Sequence, residues 1–158
     1  METNLTRRNV LRSAGNTGVL SALIAAGVLK PTFAYAAEWN KAAFEAKDTA
    51  GALKGVGAGA AADSKDLIVK APDIAENGAV VPVDVISNIP NTTSISILVE
   101  KNPSPLSAHF DFANGALPDV AVRLKLSQTS LVKAVAKADG KFFTAQKEIK
   151  VTVGGCGG

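Results

Sequence analysis

The residue best suited to covalent chemistry is Cys156, the one cysteine of the 158-residue chain. Gly154 and Gly155 precede it, and Gly157 and Gly158 follow it. Because glycine loses the most conformational freedom when it is ordered, we expect this segment to form a flexible arm. A thiol on so narrow an arm can enter a pocket that a bulkier chain could not. The alternative is a frayed, glycine-rich end that carries an unused cysteine.

The other candidate catalytic groups are few. The chain has a single histidine, His109, which lies between Ala108 and Phe110 in a predicted strand. A nucleophile needs a base within reach, and we interpret His109 as a satisfied strand residue. One cysteine and one histidine are too few for a structural metal site. Asp73 and Glu76 lie in a predicted turn, where they cap the backbone or are solvated. The sequence therefore predicts no catalytic residues, no metal and no cofactor.

Residues 1–36 have the features of a targeting segment. The pair Arg7 and Arg8, followed by an apolar residue and a further basic one, resembles the twin-arginine export signal. The apolar run Gly18–Leu29 is about a dozen residues long, whereas roughly 20 are needed to span a bilayer. A small-x-small pattern then ends at Ala36. We expect cleavage after Ala36 and a periplasmic location, with a weak membrane anchor as the alternative.

Removal of this segment also removes the net charge. The chain has 17 basic and 14 acidic residues, for a formal charge of +3. Four of the basic residues and one of the acidic ones lie in residues 1–36, so 13 of each remain. A balanced chain gives no argument for binding nucleic acid or anionic membrane. A single cysteine in an exported protein also means that the fold depends on packing instead of internal disulfides.

The periodicity of the mature chain predicts one short helix followed by strands. Apolar residues recur at helical spacing over Trp39–Leu53. Gly55–Ala62 is a predicted loop, and it lacks the Lys-Ser/Thr pair of a phosphate loop. Asp73–Gly78 is a predicted turn, in which Asn77-Gly78 suits positive φ. The predicted strands are Leu67–Lys70, Val80–Ser87, Ser94–Glu100, Leu106–Phe112, Val120–Leu126, Thr129–Ala138, Phe142–Thr144 and Glu148–Val153.

Short strands at spacings near ten residues, separated by turn residues, are typical of an antiparallel β-sandwich of two sheets. We expect a mainly β, immunoglobulin-like sandwich with a short N-terminal helix and a flexible C-terminal Gly-Gly-Cys-Gly-Gly arm. The expected organisation is a signal peptide over 1–36, a helix and linker over 37–62, the sandwich carrier domain over 63–153, and the carrier arm over 154–158. The last strand anchors the base of the arm.

Four stretches of the chain carry a family resemblance. The tail after Lys150–Val153, together with Ala71–Val83, Ile97–Leu106 and Gln128–Ser130, resembles SoxY. SoxY proteins are the sulfur-carrier subunits of the periplasmic thiosulfate-oxidising (Sox) system. The twin-arginine segment agrees with this resemblance.

The resemblance implies a covalent carrier that is not itself an enzyme. It implies a heterodimer with SoxZ, in which both subunits are immunoglobulin-like sandwiches, and it implies that Cys156 carries the substrate. A haem-containing SoxAX cytochrome would join thiosulfate oxidatively to the thiol, and a manganese-dependent SoxB hydrolase would release sulfate. In some organisms a SoxCD dehydrogenase would oxidise the remaining sulfur.

Two other functions for the tail compete with this one. The first is an exported structural or adhesion sandwich that forms an intermolecular disulfide through Cys156. The second is a sulfur carrier that uses its terminal carboxylate, as ubiquitin-like carriers ending in Gly-Gly do. That chemistry requires ATP, which an exported protein lacks, and the β-rich pattern has no long central helix.

Overall fold

The structure is a computed structural model, and it describes residues 39–152. The predicted targeting segment, Cys156 and the glycines around it lie outside the described residues. In the part of the chain that is described, no helix combines the length and the apolar character needed to cross a membrane.

Two short helices begin the described chain, α1 (Lys41–Phe44) and α2 (Thr49–Gly55). The side chain of Asn40 caps α1 by accepting a hydrogen bond from the backbone of Ala43. Asp48 caps α2 in the same way, with its Oδ1 2.6 Å from the backbone nitrogen of Gly51. The prediction of one helix over Trp39–Leu53 is therefore wrong. Asp48 starts a new helix because its carboxylate satisfies a free backbone N–H at that point.

The larger sheet has the strand order β1-β9-β8-β5-β6, and β3 also pairs with β9. The pairs β9·β8, β8·β5 and β5·β6 are antiparallel, whereas β1 and β3 each run parallel to β9. The strands of this sheet are β1 (Ala61–Asp63), β3 (Ile74–Ala75), β5 (Thr92–Val99), β6 (Leu106–Asp111), β8 (Ser130–Ala138) and β9 (Lys141–Val151).

The smaller sheet is antiparallel, with the order β2-β4-β7. Its strands are β2 (Leu67–Lys70), β4 (Val81–Ser87) and β7 (Asp119–Leu124). The chain changes sheets twice near its start: β1 lies beside β9, β2 joins the smaller sheet, and β3 returns to β9. This leaves the chain between β1 and β3 bridging the two layers.

The core lies between the inner faces of the two sheets. Fully buried residues from the larger sheet include Ile95, Ile97 and Ile149, and those from the smaller sheet include Val83 and Val85. Inward residues alternate with outward ones along β4, as the pleat requires. The prediction of a mainly β, immunoglobulin-like sandwich is confirmed, and the two short parallel pairings are additions to it.

The helices cover part of the outer face of the larger sheet. Ala43 and Ala52 form a second buried cluster with Leu98, Leu106 and Val135. Leu98 alternates with core residues along β5, so it faces away from the core. The central strand β5 is therefore buried on both faces over Ser94–Val99.

Three predicted boundaries are wrong for a shared reason. The strands expected at Phe142–Thr144 and Glu148–Val153 belong to one strand, β9, which continues through Ala145–Lys147. The expected loop over 55–62 contains the end of α2 and part of β1, and the expected turn over 73–78 contains β3. In β1, β3 and the middle of β9, a neighbouring strand supplies hydrogen bonds to a segment that has no apolar alternation of its own.

Candidate functional site

The predicted site residues Cys156, Gly154, Gly155, Gly157 and Gly158 lie outside the described residues. So do Arg7 and Arg8 of the predicted export signal. The structure instead defines the segment that leads to the arm residues, which is the end of β9 and the next residue, Thr152. We use the name arm base for Lys150–Thr152 and the backbone that binds it.

The arm base is hydrogen-bonded on both sides. On one side the backbone N–H of Lys150 donates to the carbonyl of Asp73 at 2.9 Å, and that of Thr152 donates to the carbonyl of Ala75 at 3.1 Å. On the other side the N–H of Val151 donates to the hydroxyl oxygen of Thr129 at 3.0 Å. Successive residues of the arm base are thus bonded to opposite sides. The last of them, Thr152, is the fourth residue before Cys156.

An ion pair fixes the segment that holds the arm base. The ammonium group of Lys147 lies 2.9 Å from Oδ1 of Asp73 and also donates to the carbonyl of Ala71. The hydrogen bond and positive charge of Lys147 lower the pKa of the Asp73 carboxyl, with a smaller contribution from the charge of Lys150. Asp73 is exposed to solvent, as expected, but its pairing with Lys147 was not predicted. The two residues are far apart in sequence, and no local pattern reveals the pair.

Gly78 permits a close approach at the same place. A Cβ atom on Gly78 would lie 2.5 Å from the carbonyl oxygen of Leu126 and 2.9 Å from Cγ1 of Val151. The carbonyl of Gly78 also accepts a hydrogen bond from the N–H of Leu126 at 2.7 Å. We expected positive φ at Asn77-Gly78, and this is wrong: neither residue is among the described residues with positive φ. Glycine is required here because the backbone of Leu126 and the side chain of Val151 leave no room for a Cβ atom.

Hydrogen bonds from the loop over 101–105 hold the chain on both sides of Thr129. Asn102 donates from its side chain to the carbonyl of Lys125 at 2.7 Å and accepts from the N–H of Ser127 at 3.1 Å. The N–H of Lys101 donates to the hydroxyl of Ser130 at 3.0 Å. These bonds tie the loop over 101–105 to the connection between β7 and β8, which carries Thr129.

The three internal stretches that carry the family resemblance therefore meet at one end of the sandwich. Residues 71–83 supply the parallel strand β3 and Gly78, residues 97–106 supply Asn102, and residues 128–130 supply Thr129. These stretches are separated in the sequence. The structure brings them together around the last residues before the glycine arm.

His109 belongs to a different part of the molecule. Its Nδ1 lies 2.8 Å from the hydroxyl of Ser96, and its Nε2 lies 3.4 Å from the carboxylate of Asp111. These are the residue types of a hydrolytic triad. Ser96, however, is only 3% exposed, so its oxygen is closed to a substrate. His109 is a satisfied strand residue, as the sequence predicts.

The groove at the end of the sandwich remote from the arm base offers little chemistry for binding a charged ligand. A groove of about 380 Å³ lies at the opposite end of the sandwich, and its lining includes Ser87, Phe112, Asn114 and Pro118. Its lining residues carry no titratable side chain. Within residues 39–152, His, Cys, Asp and Glu do not assemble in groups of three or more that could hold a metal ion.

The arm base lies within a region that matches a known protein family. The model of the family described as sulfur oxidation protein SoxY matches residues 53–156. The chain belongs to the SoxY family. The match covers every strand of the sandwich and the whole arm base, and it ends at Cys156. The prediction of this family from the tail and the three internal stretches is confirmed.

A solved structure agrees with this assignment. The sulfur carrier protein SoxY from Chlorobium limicola f thiosulfatophilum is 41% identical, with a TM-score of 0.55 over 60% of this chain and 88% of that one. A variant of the superoxide reductase (neelaredoxin) from Ignicoccus hospitalis is 23% identical, with a TM-score of 0.50 over 58% of this chain and 83% of that one. The second likeness concerns the fold alone. Among curated proteins, none matches this SoxY-family chain.

Proposed function

We propose that the protein is a covalent carrier of sulfur intermediates, with Cys156 as the attachment residue. The observation that carries the proposal is the SoxY family match, which extends to Cys156. The solved relative from Chlorobium, 41% identical, is a sulfur carrier protein. The hydrogen-bonded arm base supports the proposal, because it anchors the backbone from which the glycine arm and its thiol extend.

The proposed cargo is derived from thiosulfate. In the loading step a bond forms between the Cys156 sulfur and the terminal sulfur of thiosulfate. The thiol loses its proton, and a partner cytochrome of the SoxAX type accepts two electrons. In the release step water attacks the sulfonate sulfur, the S–S bond to that sulfur breaks, and sulfate leaves with Cys156 as a persulfide. A SoxB-type hydrolase catalyses this step, and a SoxCD-type dehydrogenase oxidises the persulfide where it is present.

The carrier itself contributes binding and presentation, not catalysis. Only a few per cent of a free thiol is ionised to thiolate at neutral pH. The pocket of an enzyme therefore has to promote ionisation of Cys156. The Ser96–His109–Asp111 group gives no alternative, because Ser96 is buried. We therefore assign the chemistry to the partner enzymes.

The proposal includes a compartment and a permanent partner. The twin-arginine pair Arg7-Arg8 would direct the folded protein to the periplasm, where the Sox enzymes act. A SoxZ-type subunit would form the heterodimer before export, because this route carries proteins that are already folded.

Intact mass spectrometry of the mature protein tests the proposal. We expect protein from thiosulfate-grown cells to carry sulfur and sulfonate adducts that are absent from control cells. Cys156→Ser should abolish every adduct while the unfolding temperature stays unchanged. An unmodified mass under both growth conditions, or adducts that persist in Cys156→Ser, would show that Cys156 is not the carrier residue.

Non-reducing electrophoresis of the same samples distinguishes the structural alternative. Without reductant, a carrier should migrate mainly as a single chain, and its Cys156 should exchange with added thiols. An obligate disulfide-linked dimer without sulfur adducts would instead identify an adhesion or structural module.

A further inference from the structure

The length of the arm limits where a partner enzyme can lie. Thr152, the last described residue, is four residues from Cys156. Four residues span at most about 14 Å when fully extended. An enzyme that takes the Cys156 sulfur into a pocket must therefore bring the mouth of that pocket close to Thr152. The end of the sandwich that holds the arm base has to face the enzyme.

Two exposed aliphatic side chains lie at this end. Ile74 is 57% exposed and Val80 is 52% exposed, and they are two of the four large hydrophobic residues that are exposed within residues 39–152. Ile74 is in register with Lys150 in the parallel pair of β3 and β9. Val80 is two residues after Gly78, which approaches Val151.

The backbone that carries these side chains is fixed at several points. Asp73, immediately before Ile74, is paired with Lys147. Ala75, immediately after Ile74, is buried and binds Thr152. Val81, immediately after Val80, is fully buried at the start of β4. Both aliphatic side chains are therefore presented outward from rigid backbone, and this limits the entropy that docking would cost.

Resting on the proposed carrier function, we propose that Ile74 and Val80 form a docking patch for the rim of the enzyme pocket that receives Cys156. The occupant is an enzyme surface with an apolar rim around a pocket wide enough for the glycine arm. Because every enzyme that acts on the same thiol meets the same limit of about 14 Å, the patch is shared by successive enzymes. The exposed charges of Glu76 and Lys150 border it, which gives the apolar centre and polar edge typical of an interface.

The test uses the full carrier in its heterodimer, with Ile74→Ser, Val80→Ser and the double variant. Leu117→Ser is the matched control: Leu117 is 82% exposed, and it precedes β7, whose first residues pair with the end of β4 remote from Val80. Loading of Cys156 is measured with thiosulfate and the thiosulfate-conjugating oxidoreductase. We expect the KM for the double variant to rise about tenfold, as for loss of a small hot spot, with kcat and the rate of maleimide labelling unchanged. Leu117→Ser should behave as wild type.

A double variant whose KM equals that of Leu117→Ser would overturn the docking patch. The patch would also be overturned if light scattering showed that the double variant had lost its partner subunit, because Ile74 and Val80 would then be covered within the heterodimer. These outcomes differ from failure of the carrier function itself, in which wild-type protein would not be loaded at all.

Discussion

At the residue scale, the contacts that define the arm base are made by residues of ordinary appearance. Lys147 is one of many lysines, yet its ammonium group joins Asp73 and the carbonyl of Ala71. Because the pair is partly solvent-exposed, it adds little to the free energy of folding. Its main effect is to fix the backbone at Asp73. The backbone carbonyl of Asp73 accepts the hydrogen bond from Lys150.

The Lys147–Asp73 pair predicts a pH-dependent effect. The pKa of Asp73 is lowered below its ordinary value of 3.8, first by the hydrogen bond from Lys147. The pairing therefore contributes fully above pH 3.8 and is lost as the pH falls through the lowered pKa. Lys147→Met should return the pKa of Asp73 towards 3.8. A carboxyl-carbon NMR titration measures it, and Lys150→Met, which removes a smaller contribution, is the control. An unchanged titration of Asp73 in Lys147→Met would refute the ion pair.

At the element scale, β9 is one strand with two roles. Residues 141–149 pair with β8 along the larger sheet, while the end of the strand is bonded to β3 and to Thr129. The segment over 73–81 fixes this end only because it packs closely against the connection after β7. Gly78 allows that packing.

Replacement of Gly78 tests how closely these elements pack. A Cβ atom there would meet the backbone oxygen of Leu126, which cannot move without displacing its strand connection. We expect Gly78→Ala to lower the free energy of unfolding by about 1–3 kcal/mol, as for other overpacked sites. Urea denaturation measures the change. Gly59→Ala is the control, because nothing lies within 4 Å of a Cβ at Gly59. Equal stability of the two variants would mean that the close approach is absent.

At the scale of the whole molecule, the two ends of the sandwich differ. One end holds the arm base, Ile74 and Val80, and the other holds the groove near Pro118. The helices occupy part of the outer face of the larger sheet. In the proposed carrier function, the end with the arm base faces the enzyme and the rest of the domain supports it.

The proposed arm makes a prediction at this scale. Gly155→Val should reduce transfer to the partner enzymes at least about tenfold, because a β-branched side chain widens the arm and restricts its backbone. The unfolding temperature should stay within about 1 °C of wild type, because residue 155 follows the sandwich. Transfer kinetics and calorimetry measure the two effects, and Gly59→Val controls for a glycine replacement elsewhere. Undiminished transfer in Gly155→Val would contradict the role assigned to the glycines.

The sequence by itself determined the family, the sandwich and most of the strands. Alternation marks a half-buried strand wherever one face meets a core, and β2 begins and ends at Leu67 and Lys70 as predicted. The tail motif and three internal stretches were enough to identify SoxY. Cys156 and its glycines were identified from residue type and spacing, and they remain a prediction.

Only the tertiary structure decided what surrounds the base of the arm. The short parallel strand β3, the pair Lys147–Asp73 and the bond from Val151 to Thr129 join residues that are distant in sequence. No periodicity encodes such contacts, because each depends on which distant segments the fold places side by side. From the sequence, Gly78 predicts a turn with positive φ. In the structure, glycine is needed there because Leu126 and Val151 lie too close for a Cβ atom. Local patterns determine which segments become strands, whereas packing determines which residues meet.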